Sequence, residues 1–269
     1  MTTITQISHI NLQYSHTIGR GEQFGPGFTY PIQMAKGEGD MMYVLCRSPE
    51  YRPEGTRIVV CTAGEEYINV FARGVNHQGP HEYNFEDGSL VWPTCVALDS
   101  EQNVYVSDEW LNRISVYNKD GDYLRKWDMS EGAGDGEINR PSGLAFDKDD
   151  NLYLVDSLNH RIQKFSKDGK FLSKWGTEGS GDGEFNMPWG IAVDELGDVY
   201  VADWRNDRIQ KFTADGGFLS AFGAKGDGAG QYSYVIAVAV AEDGTVFAAD
   251  FGNDRIQKWR PGSEGRIFQ

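Results

Sequence analysis

The chain has 269 residues, with 25 lysines and arginines against 40 aspartates and glutamates, a formal net charge of −15. So acidic a surface repels phosphate backbones and anionic lipid, which argues against nucleic acid and membrane as partners unless a local basic patch intervenes. The N-terminal MTTITQISHINLQYSHTIG has no cationic or apolar leader segment, and no apolar run of ~18 residues is available to span a bilayer. Cys46, Cys61 and Cys95 form no framework spacing, which suits reduced thiols and a cytoplasmic location.

Residues 1–30 come first, and their stretch LQYSHTIGRGEQFGPGFTYP is built like LSKWGTEGSGDGEFNMP further along. That make-up is a strand followed by a linker, so the segment is expected to donate an outer strand to the last unit and close the structure. A divergent unit, 31–91, comes next. Pro31 opens it, MMYVLC and RIVVC supply strands, and SPEYRPEGT is inserted between them. Cys46 stands where later units carry aspartate.

Regular units then occupy 92–139, 140–186, 187–233 and 234–269, the last incomplete. Asp108, Asp156, Asp203 and Asp250 recur at intervals of 48, 47 and 47 residues. Pro93, Pro141 and Pro188 keep the same period, with Val235 in place of the next proline. In the second regular unit, β-branched and aromatic residues predict strands over 143–147, 152–156, 161–165 and 171–175. Asp-Gly pairs at Asp120-Gly121, Asp168-Gly169 and Asp215-Gly216 predict hairpin turns between the last two strands of a unit. Four antiparallel strands per ~45-residue unit predict the blade of an all-β propeller, with 1–269 as one domain.

The repeated P-x-G-[IL]-A-[VF]-D, [VL]-Y-[VL]-x-D and N-[HD]-R-I-Q-K-F patterns, from about Pro31 to Trp259, resemble the NHL-repeat family. The resemblance implies an NHL-type β-propeller, six-bladed in the family, of which about five blades are visible. A missing C-terminal blade is the expected account, and closure of five blades on the N-terminal strand is the alternative. The family includes propeller parts that recognise substrates or RNA in larger proteins, some of them ubiquitin ligases. It extends to a zinc lyase whose metal is held by histidines from several blades. At the matching positions this chain has Asn112, His160, Asp207 and Asp254, so that zinc site does not carry over.

Recurrence separates scaffold from specificity. A D-x-x-N-x-R pattern at Asp108/Asn112/Arg113, Asp156/Asn159/Arg161, Asp203/Asn206/Arg208 and Asp250/Asn253/Arg255 is expected to tie the loop between second and third strands. Glycine-rich linkers carry Asp135, Glu137, Asp182 and Glu184, whose oxygens could ligate calcium. Their repetition reads instead as a connector, with Ile138, Phe185 or Tyr232 anchoring it to the core. His77 and His81 form an H-x-x-x-H pair without a third ligand. No nucleophile elbow is present, so no catalytic residue, metal site or cofactor is assigned.

What varies between repeats is the pair after the motif aspartate: Glu109-Trp110, Ser157-Leu158, Trp204-Arg205 and Phe251-Gly252. Loop differences on a repeated scaffold are where specificity can be written. The expected ligand- or partner-binding residues are therefore Trp110, His160, Trp189, Trp204, Arg205, Asp207 and Phe251. They predict a non-enzymatic module for a protein, peptide or small polar ligand. A metal-dependent lyase or hydrolase is the first alternative, and an RNA-binding domain the second.

Overall fold

The computed structural model describes residues 27–49, 52–75, 86–127 and 129–261. They form successive antiparallel sheets, each a blade whose strands a to d run in chain order. Blade one contains Pro31–Lys36, Met41–Cys46, Arg57–Thr62 and Tyr67–Phe71. Blade two contains Pro93–Leu98, Val104–Asp108, Arg113–Tyr117 and Tyr123–Trp127. Blade three contains Pro141–Phe146, Asn151–Asp156, Arg161–Ser166 and Phe171–Trp175, each within two residues of its sequence expectation. Blade four contains Ile191–Val193, Val199–Asp203, Arg208–Phe212 and Phe218–Phe222. Blade five has Val235–Val240, Val246–Asp250 and Arg255–Trp259 among the described residues. The whole is an all-β, five-blade propeller arrangement.

Burial tracks position in the blade. Strand b of blades two and four, VYVSD and VYVAD, is buried throughout because sheets cover both of its faces. Strand d of blade three alternates between half-buried and exposed, as an outer edge should. Four apolar cores lie between consecutive blades. In the one joining blades three and four, Tyr153, Val155 and Ile162 pack with Val199, Val201 and Phe212. The predicted linker anchors Ile138, Phe185 and Tyr232 are fully buried in three of these cores, and Leu90 does the same in the fourth.

The glycine of P-x-G has a packing cause. A Cβ on Gly143 would lie 2.6 Å from the carbonyl oxygen of Trp189, and one on Gly190 would lie 2.6 Å from that of Ile236. Innermost strands converge on the axis, so strand a must let the backbone of the next blade come close. Blade two has Cys95 there, whose Sγ accepts the backbone N–H of Leu144 at 3.3 Å.

At the two outer flanks of the blade series, side chains that match buried ones elsewhere are exposed. Ile114, Ile162 and Ile209 are fully buried against the next blade, but the matching Ile256 is 65% exposed. At the other flank, Ile32 and Met34 of blade one are also exposed. The expected closing strand lies outside the described residues except for Gly27–Tyr30, as do residues 262–269 and the pair His77 and His81. Among the described residues, no helix is long and apolar enough to cross a membrane.

Candidate functional site

The loop between strands b and c is built the same way in blades three to five. After the motif aspartate, the chain makes one 3₁₀ turn, at Ser157–Asn159, Trp204–Asn206 and Phe251–Asn253. Asp156 accepts Arg161 Nε at 2.7 Å, Asp203 accepts Arg208 Nε at 2.8 Å and Asp250 accepts Arg255 Nε at 2.7 Å. Asn159, Asn206 and Asn253 each donate to the same aspartate and to a linker carbonyl. Asp108 differs by accepting four backbone N–H groups, from Val91, Trp92, Trp110 and Leu111. Burial raises its pKa, and those bonds only partly oppose the rise. The pattern is scaffold, as its recurrence implies.

The linkers are closed loops around these arginines. The Arg161 guanidinium donates to the carbonyls of Ala133, Gly134 and Glu137. Glu137 and Glu184 turn their carboxylates back onto the N–H of Gly134 and Gly181, at 2.7 and 2.8 Å. Neutral Gln231 makes the same bond to Gly228 at 2.9 Å, so the loop needs an acceptor there and not a charge. Asp135 pairs with Lys174 at 2.7 Å.

His160 and Asp207, two of the expected binding residues, hold blades together. His160 Nδ1 accepts the backbone N–H of Met187 at 3.1 Å. Asp207 Oδ1 accepts that of Tyr234 at 2.6 Å, and Asn112 Oδ1 that of Arg140 at 2.8 Å. All three have φ near +52°, a left-handed conformation that Asn and Asp tolerate best. Their side chains therefore reach from one blade to the residue just before the one that opens the next.

The other five residues fall into two aromatic clusters on the b–c face. Trp204 meets Trp189 on one side and Tyr234 on the other, with ring centroids 5.9 Å apart in both cases. Arg205 lies over Trp204 at 5.1 Å, a cation–π contact. Phe251 donates its backbone N–H to Tyr234 and leaves its ring 65% exposed. In the second cluster, Trp110 packs edge-on against Trp92 at 5.2 Å. Arg47 stacks on Trp92 at 4.9 Å and pairs with Glu109 at 2.9 Å. Blade three separates them, with Ser157 and Leu158 at the corresponding positions.

Sequence reasoning missed Trp92, Tyr234 and Arg47. The first two precede the residue that opens a blade, and Arg47 comes directly after the aspartate-equivalent Cys46. Arg47 therefore stands in the first column of the varying pair, with Glu109, Ser157, Trp204 and Phe251, and the column of Trp92 and Tyr234 varies as that pair does; this variation is the signal that would have found them.

The opposite face is different in character. Its a–b turns bring Asp99, Asp147 and Asp194 around a cavity of about 300 Å³. Each carboxylate is engaged within its own blade, Asp147 by Asn151 and Lys164, Asp194 by Tyr200 and Lys211, Asp99 by Asn103. Among the described residues, no group of three His, Cys, Asp or Glu side chains converges to hold a metal ion. The three cysteines are buried and unpaired, and burial pushes the Cys95 thiol up to about 11.

The NHL repeat family matches residues 139–165 and 185–212, the second and third regular units including the linker anchor Phe185. The chain is a β-propeller with NHL repeats in its third and fourth blades. No functionally curated protein matches its sequence. Among solved structures, it is similar to a streptogramin B lyase, with 12% identity, 90% of this chain and 68% of that one covered, and a TM-score of 0.60. It is also similar to virginiamycin B lyase from Staphylococcus aureus, at 14% identity over 89% of this chain and 83% of that one, with a TM-score of 0.54. A chain of a nidogen/laminin complex matches at 18% identity over 88% and 82%, with a TM-score of 0.53. At such identities these likenesses concern the propeller fold alone.

Proposed function

We propose that this NHL propeller is a non-enzymatic recognition module, reading a protein or peptide with its b–c face. The observation that supports it is the cluster Trp189–Trp204–Arg205–Tyr234–Phe251. The scaffold residues beneath it repeat from blade to blade, whereas these side chains do not. Large rings and arginine on an exposed surface have the composition of binding anchors. Three buried, unpaired thiols suit a reducing compartment, so the cytoplasm is the proposed location.

The test is comparative capture from cell extract with the wild-type chain and a Trp204→Ala/Phe251→Ala variant. Partners retained by the first and lost by the second are the expected result. An identical set of retained proteins would sink the reading, provided circular dichroism shows both chains folded.

A further inference from the structure

The geometry of the blade-four cluster narrows the class of ligand. Trp189 and Trp204 are inclined by 61°, and Trp204 and Tyr234 by 50°. Rings in contact at these angles, edge towards face, form a ridged surface and not a flat platform for stacked bases or sugars. The ring centroids succeed one another at 5.9 Å. Side chains i and i+2 of an extended peptide emerge on one side about 6.6 Å apart, a comparable pitch.

Charge supplies the second argument. The chain is strongly acidic, and its a–b turns carry Glu101, Asp149, Glu195, Glu242 and Asp243 in exposed positions. On the b–c face, Arg205 is exposed, and its guanidinium has no carboxylate partner among the described residues. It is held over Trp204 by the cation–π contact alone, which leaves its outer N–H groups for a ligand anion. Acidic linker tips such as Asp182 are exposed further along the linkers of this face, so a carboxylate is favoured beside Arg205 and disfavoured there.

We propose that Trp189, Trp204, Arg205, Tyr234 and Phe251 dock an extended peptide with apolar side chains at i and i+2 and an acidic residue beside them. This rests on the recognition-module reading and specifies its ligand. The apolar pair lies against successive rings of this ridge, and the carboxylate reaches the Arg205 guanidinium.

The probe is a fluorescein-labelled peptide with two leucines separated by one serine and followed by aspartate, read by anisotropy. One control places the leucines side by side; another replaces aspartate by lysine. The first peptide should bind about tenfold or more tightly than either control, the ratio expected from one well-placed charge or anchor. Arg205→Glu should reverse the preference between aspartate and lysine, and Phe251→Ala should weaken both. These side chains are exposed or half-buried, and circular dichroism checks that the variants fold.

Equal binding of all three peptides, or a preference untouched by Arg205→Glu, would overturn the proposal. A random-peptide display separates its failure from that of the module reading. Selected peptides that need Trp204 but lack the apolar spacing or the acid defeat the proposal alone. Selection of nothing that depends on Trp204 defeats both. Tighter binding of a single-stranded RNA oligomer at the same residues would replace the peptide by nucleic acid.

Discussion

The guanidinium of Arg57 donates to the carbonyl oxygen of Gly27 at 2.8 Å, which is the bond Arg208 makes to Glu184 at 2.9 Å. Arg113 to Ser89, Arg161 to Glu137 and Arg255 to Gln231 repeat it. In every case the acceptor lies four residues before the residue that opens the blade. Blade one, with its Cys46 and its inserted loop, has kept this latch although it lost the aspartate. Gly27 thus stands where the blade-to-blade linkers place their carbonyl acceptor.

Breaking one latch should cost much of a blade's stability. Arg208→Ala leaves Asp203 buried without its cation and leaves linker carbonyls unpaired, a loss of about 3–5 kcal/mol. A fall in urea midpoint of that size is expected, with Arg208→Lys only a partial rescue because an ammonium lacks the planar fork. A loss below about 1 kcal/mol would mean that the linker holds without the guanidinium.

The inter-blade role of His160 separates two substitutions. His160→Asn should be nearly neutral, since Asn112 makes the same bond from the same left-handed backbone. His160→Ala removes the acceptor and adds strain at φ +53°, for a loss of about 1–3 kcal/mol. If both variants melt with the wild type, the contact to Met187 carries no weight. If Asn alone weakens peptide capture without loss of stability, the histidine has a binding role as well.

Equivalent isoleucines should respond unequally. Ile209→Ala opens a cavity between blades four and five and should cost about 2–5 kcal/mol. Ile256→Ala, at 65% exposure, should cost less than about 1 kcal/mol. Thermal melts of the two variants measure the difference. Similar losses would show that Ile256 is covered in solution.

Acid should act oppositely on two motif aspartates. Burial pushes Asp250 up, but bonds from Ser233, Asn253, Arg255 and Gln257 outweigh it and hold its carboxyl below the usual range. Its ionised form therefore stabilises the fold above the unfolded value of ~3.9, and the contribution is lost as pH falls through the lower folded value. At Asp203 burial prevails and the pKa is raised, so its contribution weakens as pH rises from that unfolded value towards the folded one. The Arg255 side chain is 32% exposed and that of Arg208 13%, in keeping with the exposure of Ile256 in the same strand. The gap in urea midpoint between wild type and Asp250→Asn should narrow between pH 5 and pH 3; a constant gap would contradict this.

The repeat alone determined the blades. Strand positions, Asp-Gly turns, linker anchors and the structural task of the D-x-x-N-x-R pattern all derive from spacing, because each repeat solves the same local packing problem. Trp204, Arg205 and Phe251 were legible too, as departures from a repeated background. Only the tertiary structure decided that His160 and Asp207 are tied between blades, that Trp92 and Tyr234 join the aromatic clusters, and that Trp110 belongs to a different cluster from Trp204. Those relations depend on which residue of one blade meets which residue of the next. Such contacts are set by the stacking of sheets about an axis, a geometry that no periodicity along the chain records.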